Sequence, residues 1–310
     1  MSTETIENTA TKEAQEQIML WEPRLTMTLG HFRVPSDGFH PLLLRNMPNS
    51  EYHATHAVSS GLMCAMDQSL AYTRWWIDQP AKKKGPALKL GSAVHAFVLG
   101  DDEKEKYVRL PELNLRREAE RAERDWYYQT YGEEYCLSAA DYELCEKLTE
   151  RLWNHPQAKP FLSAMEEREL SGFWTWDDCL GSPKLLNRVR FDGLCPSLGC
   201  ALDLKTCQDA SPTGFAQEIY DRMYYRQAAH YMAGAQALGL PIDRFIFIAV
   251  EKEEPFSVGV YPLAPRAIEK GMAERAQYLK RFNAALMTDF WPDYTEEDFL
   301  ELDLPARAYL

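Results

Sequence analysis

Two aspartates and a lysine stand close enough in this chain to support metal-assisted chemistry. Asp192 ends a strand-like run from Leu185 to Phe191, and Asp203-Leu204-Lys205 follows on a second run from Cys200 to Thr206. The intervening Gly193-Leu194-Cys195-Pro196-Ser197-Leu198-Gly199 carries turn residues, so the two runs form a hairpin that brings Asp192 near Asp203. Alternate residues on a strand share a face, which points Asp203 and Lys205 one way and Leu202 and Leu204 the other. Adjacent carboxylates repel unless a cation lies between them, and hard Mg2+ or Mn2+ prefers such oxygens. A neighbouring lysine can orient or deprotonate water, or stabilise a charged phosphate in the transition state. These are the requirements of metal-assisted phosphodiester hydrolysis. The flanks Ala201, Leu202, Leu204 and Thr206 predict a buried strand, where charges without a function would be costly.

A third ligand is available upstream. His95 lies in the apolar stretch Leu90-Gly91-Ser92-Ala93-Val94-His95-Ala96-Phe97, with Gly91 one turn earlier on the same face to allow close approach of another backbone. A lone histidine on an apolar helix is more often a satisfied core residue, but beside the acidic hairpin it supplies the missing ligand. Downstream, Gln227 and Tyr231 are four apart and share a helix face, with Ala228 and Ala229 permitting tight packing. This places them at the rim of the metal site, touching DNA or orienting the lysine.

The elements that must position these residues follow from periodicity and turn chemistry. Ser59 or Ser60 caps a helix expected to run to Ile77, and Leu88 to Leu99 forms a second. The charge-dense stretch Glu112 to Glu134 predicts a solvated helix, and Ser138 begins an amphipathic one ending near Asn154. Strands are expected over Glu169–Asp177, Lys184–Asp192 and Cys200–Thr206, then one long helix from Thr213 to Leu238 closed by Gly239-Leu240-Pro241. Strands over Arg244–Glu251 and Phe256–Pro262 and a final helix from Pro265 to Met287 complete an α/β domain with one central sheet. Residues 1–48 lack sustained apolar periodicity and are expected to be a flexible, poorly packed segment ahead of a domain over 49–310.

Bulk properties set limits on function. The 310 residues are 45% hydrophobic and 12% aromatic, enough for a substantial core. No apolar run approaches a membrane span, and the polar, acidic N-terminus is unlike a signal peptide. The 7 cysteines form no CxxC pattern and suit a reducing cytoplasm. A net charge of -13 opposes loose electrostatic binding to nucleic acid. DNA contact therefore requires local basic clusters, for which the candidates are Lys82-Lys83-Lys84 with Lys89, Arg188 with Arg190, and Arg222 with Arg226.

Several motifs together resemble a known family. Glu51-Tyr52-His53-Ala54 with Ser59-Ser60, Leu88 to His95, Glu169-Leu170-Ser171, Arg190-Phe191-Asp192-Gly193, Asp203-Leu204-Lys205-Thr206 and Gln227-Ala228-Ala229-His230-Tyr231 occur in the order of the RecE-type (exodeoxyribonuclease VIII) nuclease domain. The resemblance spans residues 49–290 and implies the PD-(D/E)XK superfamily, RecB-like branch, whose fold is a central mixed sheet flanked by helices. The superfamily's proline before the first aspartate is Phe191 here. The resemblance implies that His95, Asp192 and Asp203 hold Mg2+ (or Mn2+) with the Leu204 carbonyl, and that Lys205 is the catalytic lysine. Glu169 would support these ligands or bind a second metal, and Gln227 and Tyr231 would be the motif that follows. It further implies a 5′ to 3′ exonuclease on linear double-stranded DNA, leaving 3′ overhangs for a single-strand annealing protein in recombination. Such an enzyme would be a ring-shaped homo-oligomer in the cytoplasm of a bacterium or phage-infected host, and a ring could line its channel with positive charge. No cysteine follows Cys207, so the late ligands of iron-sulfur relatives are missing and no cluster is expected. The free N–H groups at Ser59-Ser60 could hold a 5′-terminal phosphate. The alternatives are a same-fold endonuclease or single-strand-specific nuclease in defence or repair, and a non-catalytic DNA-binding subunit. Removing Lys205 or Asp203 is expected to abolish hydrolysis with far less effect on folding.

Overall fold

The computed structural model describes residues 18–22, 32–34, 39–79, 85–100, 104–177, 184–294, 301–304 and 308. Its frame is a mixed sheet assembled from the predicted apolar runs, β6 (Glu167–Trp176), β7 (Lys184–Cys195), β8 (Cys200–Cys207), β9 (Arg244–Glu251) and β10 (Val258–Pro262). β6, β7 and β8 are successive antiparallel neighbours, whereas β9 lies parallel to β8, with Cys200 opposite Arg244 and Cys207 opposite Glu251. A parallel neighbour needs a crossover, supplied by α8 (Pro212–Asp221) and α9 (Tyr224–Ala237). β10 returns antiparallel to β9 at the edge.

Alternation along the strands creates two cores. On β9, Ile246, Ile248 and Val250 face one layer, with Leu202 and Leu204 of β8, and pack against α4 (Pro86–Leu99), α6 (Ala139–Trp153) and α7 (Ala158–Ser163). Phe245, Phe247 and Ala249 face the other layer, where Phe191 and Ala201 meet Phe215 of α8 and Ala228, Tyr231 and Ala235 of α9. The long closing helix α10 (Pro265–Thr288) lies on α9. Their approach is so close that a Cβ at Gly271 would stand 2.6 Å from the Tyr225 carbonyl oxygen.

Part of the N-terminal segment departs from expectation. β1 (Ile18–Leu20), β2 (Arg33–Val34) and β3 (Leu42–Arg45) all join the sheet, in which β3 pairs with β6 and β2 with the start of β7. Leu43 and Leu44 are buried, so this stretch is part of the core rather than loosely packed. Two consecutive leucines serve the opposite faces of a short strand, a pattern too brief to show periodicity. The remainder of the expected flexible segment, 1–17, 23–31 and 35–38, lies outside the described residues.

Two predicted helices are each divided. After α1 (Asn49–Ala54), the run from Ser60 is split into α2 (Ser60–Gln68) and α3 (Leu70–Asp78) at Ser69. Ser69 is extended, at φ -170° and ψ 165°, and its hydroxyl accepts from Tyr72 N at 2.9 Å, capping the second piece. The 213–238 run is likewise split at Met223, which is left-handed at φ 57°. The charge-dense α5 (Glu118–Tyr131) buries none of its residues, as its composition predicts, and in the chain it joins β4 (Val108–Arg109) to β5 (Cys136–Leu137), a separate parallel pair. No helix among the described residues is long and apolar enough to cross a membrane.

Candidate active site

The ladder between β7 and β8 closes only at the turn end, where Gly193 pairs with Leu202, Leu194 with Ala201 and Cys195 with Cys200. One step further would come Asp192 and Asp203, and there the strands part. At its other end β7 is paired by β2 and by Val58, whose N–H donates to Leu186 O at 2.8 Å and whose carbonyl accepts from Arg188 N at 2.8 Å. The result is a slot in the middle of the sheet that begins at Asp192 on one strand and Asp203 on the other. Across it the Leu204 N–H donates to Asp192 Oδ2 at 3.0 Å, so a side chain satisfies a backbone group that a ladder would otherwise pair. N–H and C=O of one strand residue point to the same side, so the Leu204 carbonyl also faces this slot.

Each layer of helices contributes to the slot. From α4, His95 brings Nδ1 within 3.4 Å of Asp192 Oδ2. Pro86 at the start of α4 and left-handed Gly100 at its end set the helix bounds, and the buried Ala93, Val94, Ala96 and Phe97 leave His95 on the border of the apolar face. Gly91 faces Thr206, but a Cβ there would lie at an ordinary 3.7 Å from the hydroxyl, so close approach does not require the glycine. From β6, Glu169 stands in line with Asp192. His95, Glu169 and Asp192 each place a ligand atom within 4.8 Å of the others, a histidine-dicarboxylate group found among the described residues.

Asp203 occupies a deeper position, outside this trio and on the α9 face. It is fully buried, with Oδ1 accepting from Gln227 Nε2 at 2.8 Å and Oδ2 2.5 Å from Lys205 Nζ. Oδ2 is partnered by the Lys205 ammonium, and a carboxylate oxygen has a second lone pair that can face a cation. Burial pushes the Asp203 carboxyl up to about 6 against the opposing pull of Lys205. Burial by itself would lower Lys205, but Asp203 and Asp192 outweigh it and hold the ammonium above its ordinary range. The trio of hard oxygen and imidazole ligands, with this carboxylate beside it, suits a divalent ion. Tyr231 is buried, hydrogen-bonded with Gln227, and meets Phe191 and Phe245 edge-on at 5.6 and 5.9 Å. Its phenol is held well above its ordinary value by burial, so it remains neutral. Gln227 thus links Tyr231 to Asp203 from inside the core.

The predicted DNA contacts fare unevenly. Arg188 is buried and donates to the carbonyls of Tyr52, His53 and Thr55, where it closes the C-terminal end of α1. A cation at a helix C-terminus is favourable there, and this one is unavailable to DNA. Arg190 is tied to Ser171 Oγ at 3.1 Å and Met47 O at 2.7 Å, and its Nε is 4.0 Å from Glu169. Arg226 is also engaged internally, with Asp67 at 2.8 Å and with Glu274. Arg222 is exposed and pairs with Glu218 at 2.8 Å. Ser59 is an N-cap whose hydroxyl accepts from Leu62 N at 3.3 Å, and Ser60 opens α2. Lys82-Lys83-Lys84 lie outside the described residues.

Two features of the site had no clear signal in the sequence. Glu169 is left-handed at φ 48° in mid-strand, and the ladder with β7 skips it between Arg168–Gly193 and Leu170–Phe191. A non-glycine residue in this conformation stores strain, and such strain concentrates at functional sites. The second is the buried group beneath α9. His230 Nδ1 accepts from Arg275 Nε at 3.2 Å, its Nε2 donates to Arg188 O at 2.9 Å, and Arg275 Nη2 donates to Asn187 Oδ1 at 3.1 Å. These contacts join α9 and α10 to β7 behind the slot.

Comparison with known proteins bears on the family and the fold. A family model described as a PDDEXK-like domain of unknown function, DUF3799, matches residues 63–299. A crystal structure from Eubacterium rectale, of a protein provisionally named an exonuclease, aligns at 13% identity with a TM-score of 0.54, covering 86% of this chain and 98% of that one. The crystal structure of SSO0001 aligns at 13% identity over 61% of this chain and 84% of its own, with a TM-score of 0.30. No curated protein matches the sequence.

Proposed function

Because the chain belongs to the DUF3799 family of PDDEXK-like domains, we propose that it is a divalent-metal-dependent exonuclease acting 5′ to 3′ on linear double-stranded DNA. In this proposal the enzyme leaves 3′ overhangs for a single-strand annealing protein during recombination and works as a cytoplasmic, ring-shaped homo-oligomer. The observation that carries the nuclease reading is the slot between β7 and β8. There the His95, Glu169 and Asp192 ligand atoms lie within 4.8 Å of one another, beside the buried pair of Asp203 and Lys205.

His95, Asp192 and Glu169, with Asp203 Oδ2 and the Leu204 carbonyl at their side, are the groups that would hold Mg2+ or Mn2+. Bound there, the ion supplies Lewis-acid polarisation of the scissile phosphate. Lys205 places a protonated ammonium at the slot, where it stabilises the charge that accumulates on the phosphoryl oxygens and orients the attacking water. Gln227 fixes the Asp203 carboxylate through Oδ1, which leaves Oδ2 directed at Lys205. Tyr231 keeps Gln227 in place and closes the slot from the core side, so the charged groups act away from bulk water. The Leu204 N–H holds Asp192 in its orientation.

The net charge of -13 must be overcome for DNA to approach, and three of the candidate arginines, Arg188, Arg190 and Arg226, are engaged internally. Assembly of several chains around a positively lined channel answers this, because field focusing depends on local rather than total charge. The test is digestion of end-labelled linear duplex with Mg2+ and with chelator, comparing 5′ and 3′ labels, covalently closed circles and Lys205→Ala. We expect Mg2+-dependent loss of linear DNA from the 5′ end, intact circles and an inactive variant. Cleavage of circles would convert the reading to an endonuclease. Equal digestion by wild type and Lys205→Ala would refute the site.

A further inference from the structure

Tyr224 lies outside the ligand set and outside the Gln227–Tyr231 pair, yet its ring covers the lysine. The Lys205 Nζ stands 4.7 Å from the ring centroid, within the range of a cation-π contact. The ammonium therefore has two neighbours, the Asp203 carboxylate at 2.5 Å and this aromatic face. Only 15% of the Lys205 side chain is exposed, so a flexible four-carbon stem is confined on both sides.

The backbone is shaped to make this contact. α8 and α9 do not continue into one another, because Met223 between them is left-handed at φ 57°. A methionine in that conformation is disfavoured, and the turn starts α9 at Tyr224 rather than carrying the ring onward in an unbroken helix. The ring also packs against Phe247 of β9, with centroids 6.1 Å apart. β9 is the parallel neighbour of β8, and Phe247 is the register partner of Asp203. The same framework that sets Asp203 thus sets the ring over Lys205.

We propose that Tyr224 is a positioning residue, whose ring face holds the Lys205 ammonium at the slot beside Asp203. The proposal rests on the nuclease reading for its consequence in catalysis, but the contact itself can be tested without activity. An ammonium free to swing away would spend part of its time where it stabilises no phosphoryl charge. The ring restricts it by attraction to the aromatic quadrupole, without forming a hydrogen bond that would compete with the phosphate.

A packing role and an electrostatic role are separated by keeping the shape and changing the quadrupole. Tyr224→Phe would be followed by mono-, di- and trifluorophenylalanine at position 224, incorporated into the full chain. Two quantities would be read: the single-turnover rate on Mg2+-loaded linear duplex, and acetylation of Lys205 by acetic anhydride without metal or DNA, located by mass spectrometry. Tyr224→Phe should recover most of what Tyr224→Leu loses. Across the fluorine series the rate should then fall stepwise by about 3- to 10-fold at unchanged KM, while Lys205 acetylation rises in the same order. A series flat in both readouts, from an enzyme that digests DNA, would overturn the positioning role alone. Stepwise acetylation in a chain that never cleaves DNA would support the contact and overturn the nuclease reading. Melting temperatures should stay level across the series, because the ring keeps its shape.

Discussion

The pair of Asp203 and Lys205 offers the sharpest test, because it is both buried and proposed to be catalytic. Asp203 is fully buried, and Lys205 retains 15% side-chain exposure. Breaking a buried pair leaves an uncompensated charge, whereas removing both members does not. Lys205→Met should therefore cost about 3 kcal/mol, since it strands a carboxylate that cannot reach water. Asp203→Asn should cost less, about 2 kcal/mol, because the partly exposed ammonium can turn outward. The double variant should also cost about 2 kcal/mol, which gives a coupling of about 3 kcal/mol between the two sites. All three variants should lack nuclease activity. Urea denaturation without divalent metal measures the cycle. Burial holds Asp203 near 6 even with Lys205 pulling it down, so loss of Lys205 should raise it further; the Lys205→Met penalty should shrink as the pH falls toward 6, where only the variant has taken up the proton, and level off below it. Single substitutions that add to within about 0.5 kcal/mol would refute the buried-pair account. The sequence alone suggested little effect of these substitutions on folding; complete burial of Asp203 reverses that expectation.

Other outcomes follow from the same geometry. Mg2+ at ten times its dissociation constant should stabilise the fold by about 1.4 kcal/mol, raising Tm by about 2–3 °C, and His95→Ala should remove most of that rise in a thermal scan. Gly271→Ala should destabilise the protein by about 1–3 kcal/mol in denaturant titration, because the new methyl would lie 2.6 Å from the Tyr225 carbonyl oxygen and 2.7 Å from the Ala229 Cβ. His230 is held down to about 3 by burial and by Arg275, so the unfolded state takes up its proton first as the pH falls below the unfolded value. Its contribution should fall by about 1.4 kcal/mol per pH unit below pH 6.5, or about 2 kcal/mol at pH 5. A pH series of urea midpoints should accordingly be steeper in wild type than in His230→Gln, and parallel curves would refute this.

Much of the site was legible along the chain. The Asp192 hairpin, the alternation of Asp203 and Lys205 against Leu202 and Leu204, and the helical spacing of Gln227 and Tyr231 all depend on local periodicity, which needs no knowledge of distant contacts. His95 on an apolar helix and the strand over Arg244–Glu251 were readable for the same reason. The breaks at Ser69 and Met223 were not. The serine is a capping residue inside a pattern that otherwise continues, and methionine has no preference for φ 57°.

Tertiary structure decided which residues share a space. The family resemblance assigned a metal to His95, Asp192 and Asp203, with Glu169 in support or on a second ion; folding draws the ligand atoms of His95, Asp192 and Glu169 together and sets Asp203 beside them with Lys205 and Gln227. That choice depends on where β7 and β8 part and on the left-handed turn at Glu169, neither of which leaves a mark in residue type. Burial decided the fate of the arginines in the same way. Arg188 and Arg190 alternate on one strand like surface charges, yet Arg188 serves the end of α1 and Arg190 lies against Glu169. Periodicity thus fixed which residues line each strand and helix face. The register between strands and the depth of each layer, set by long-range packing, determined which of them meet in the slot.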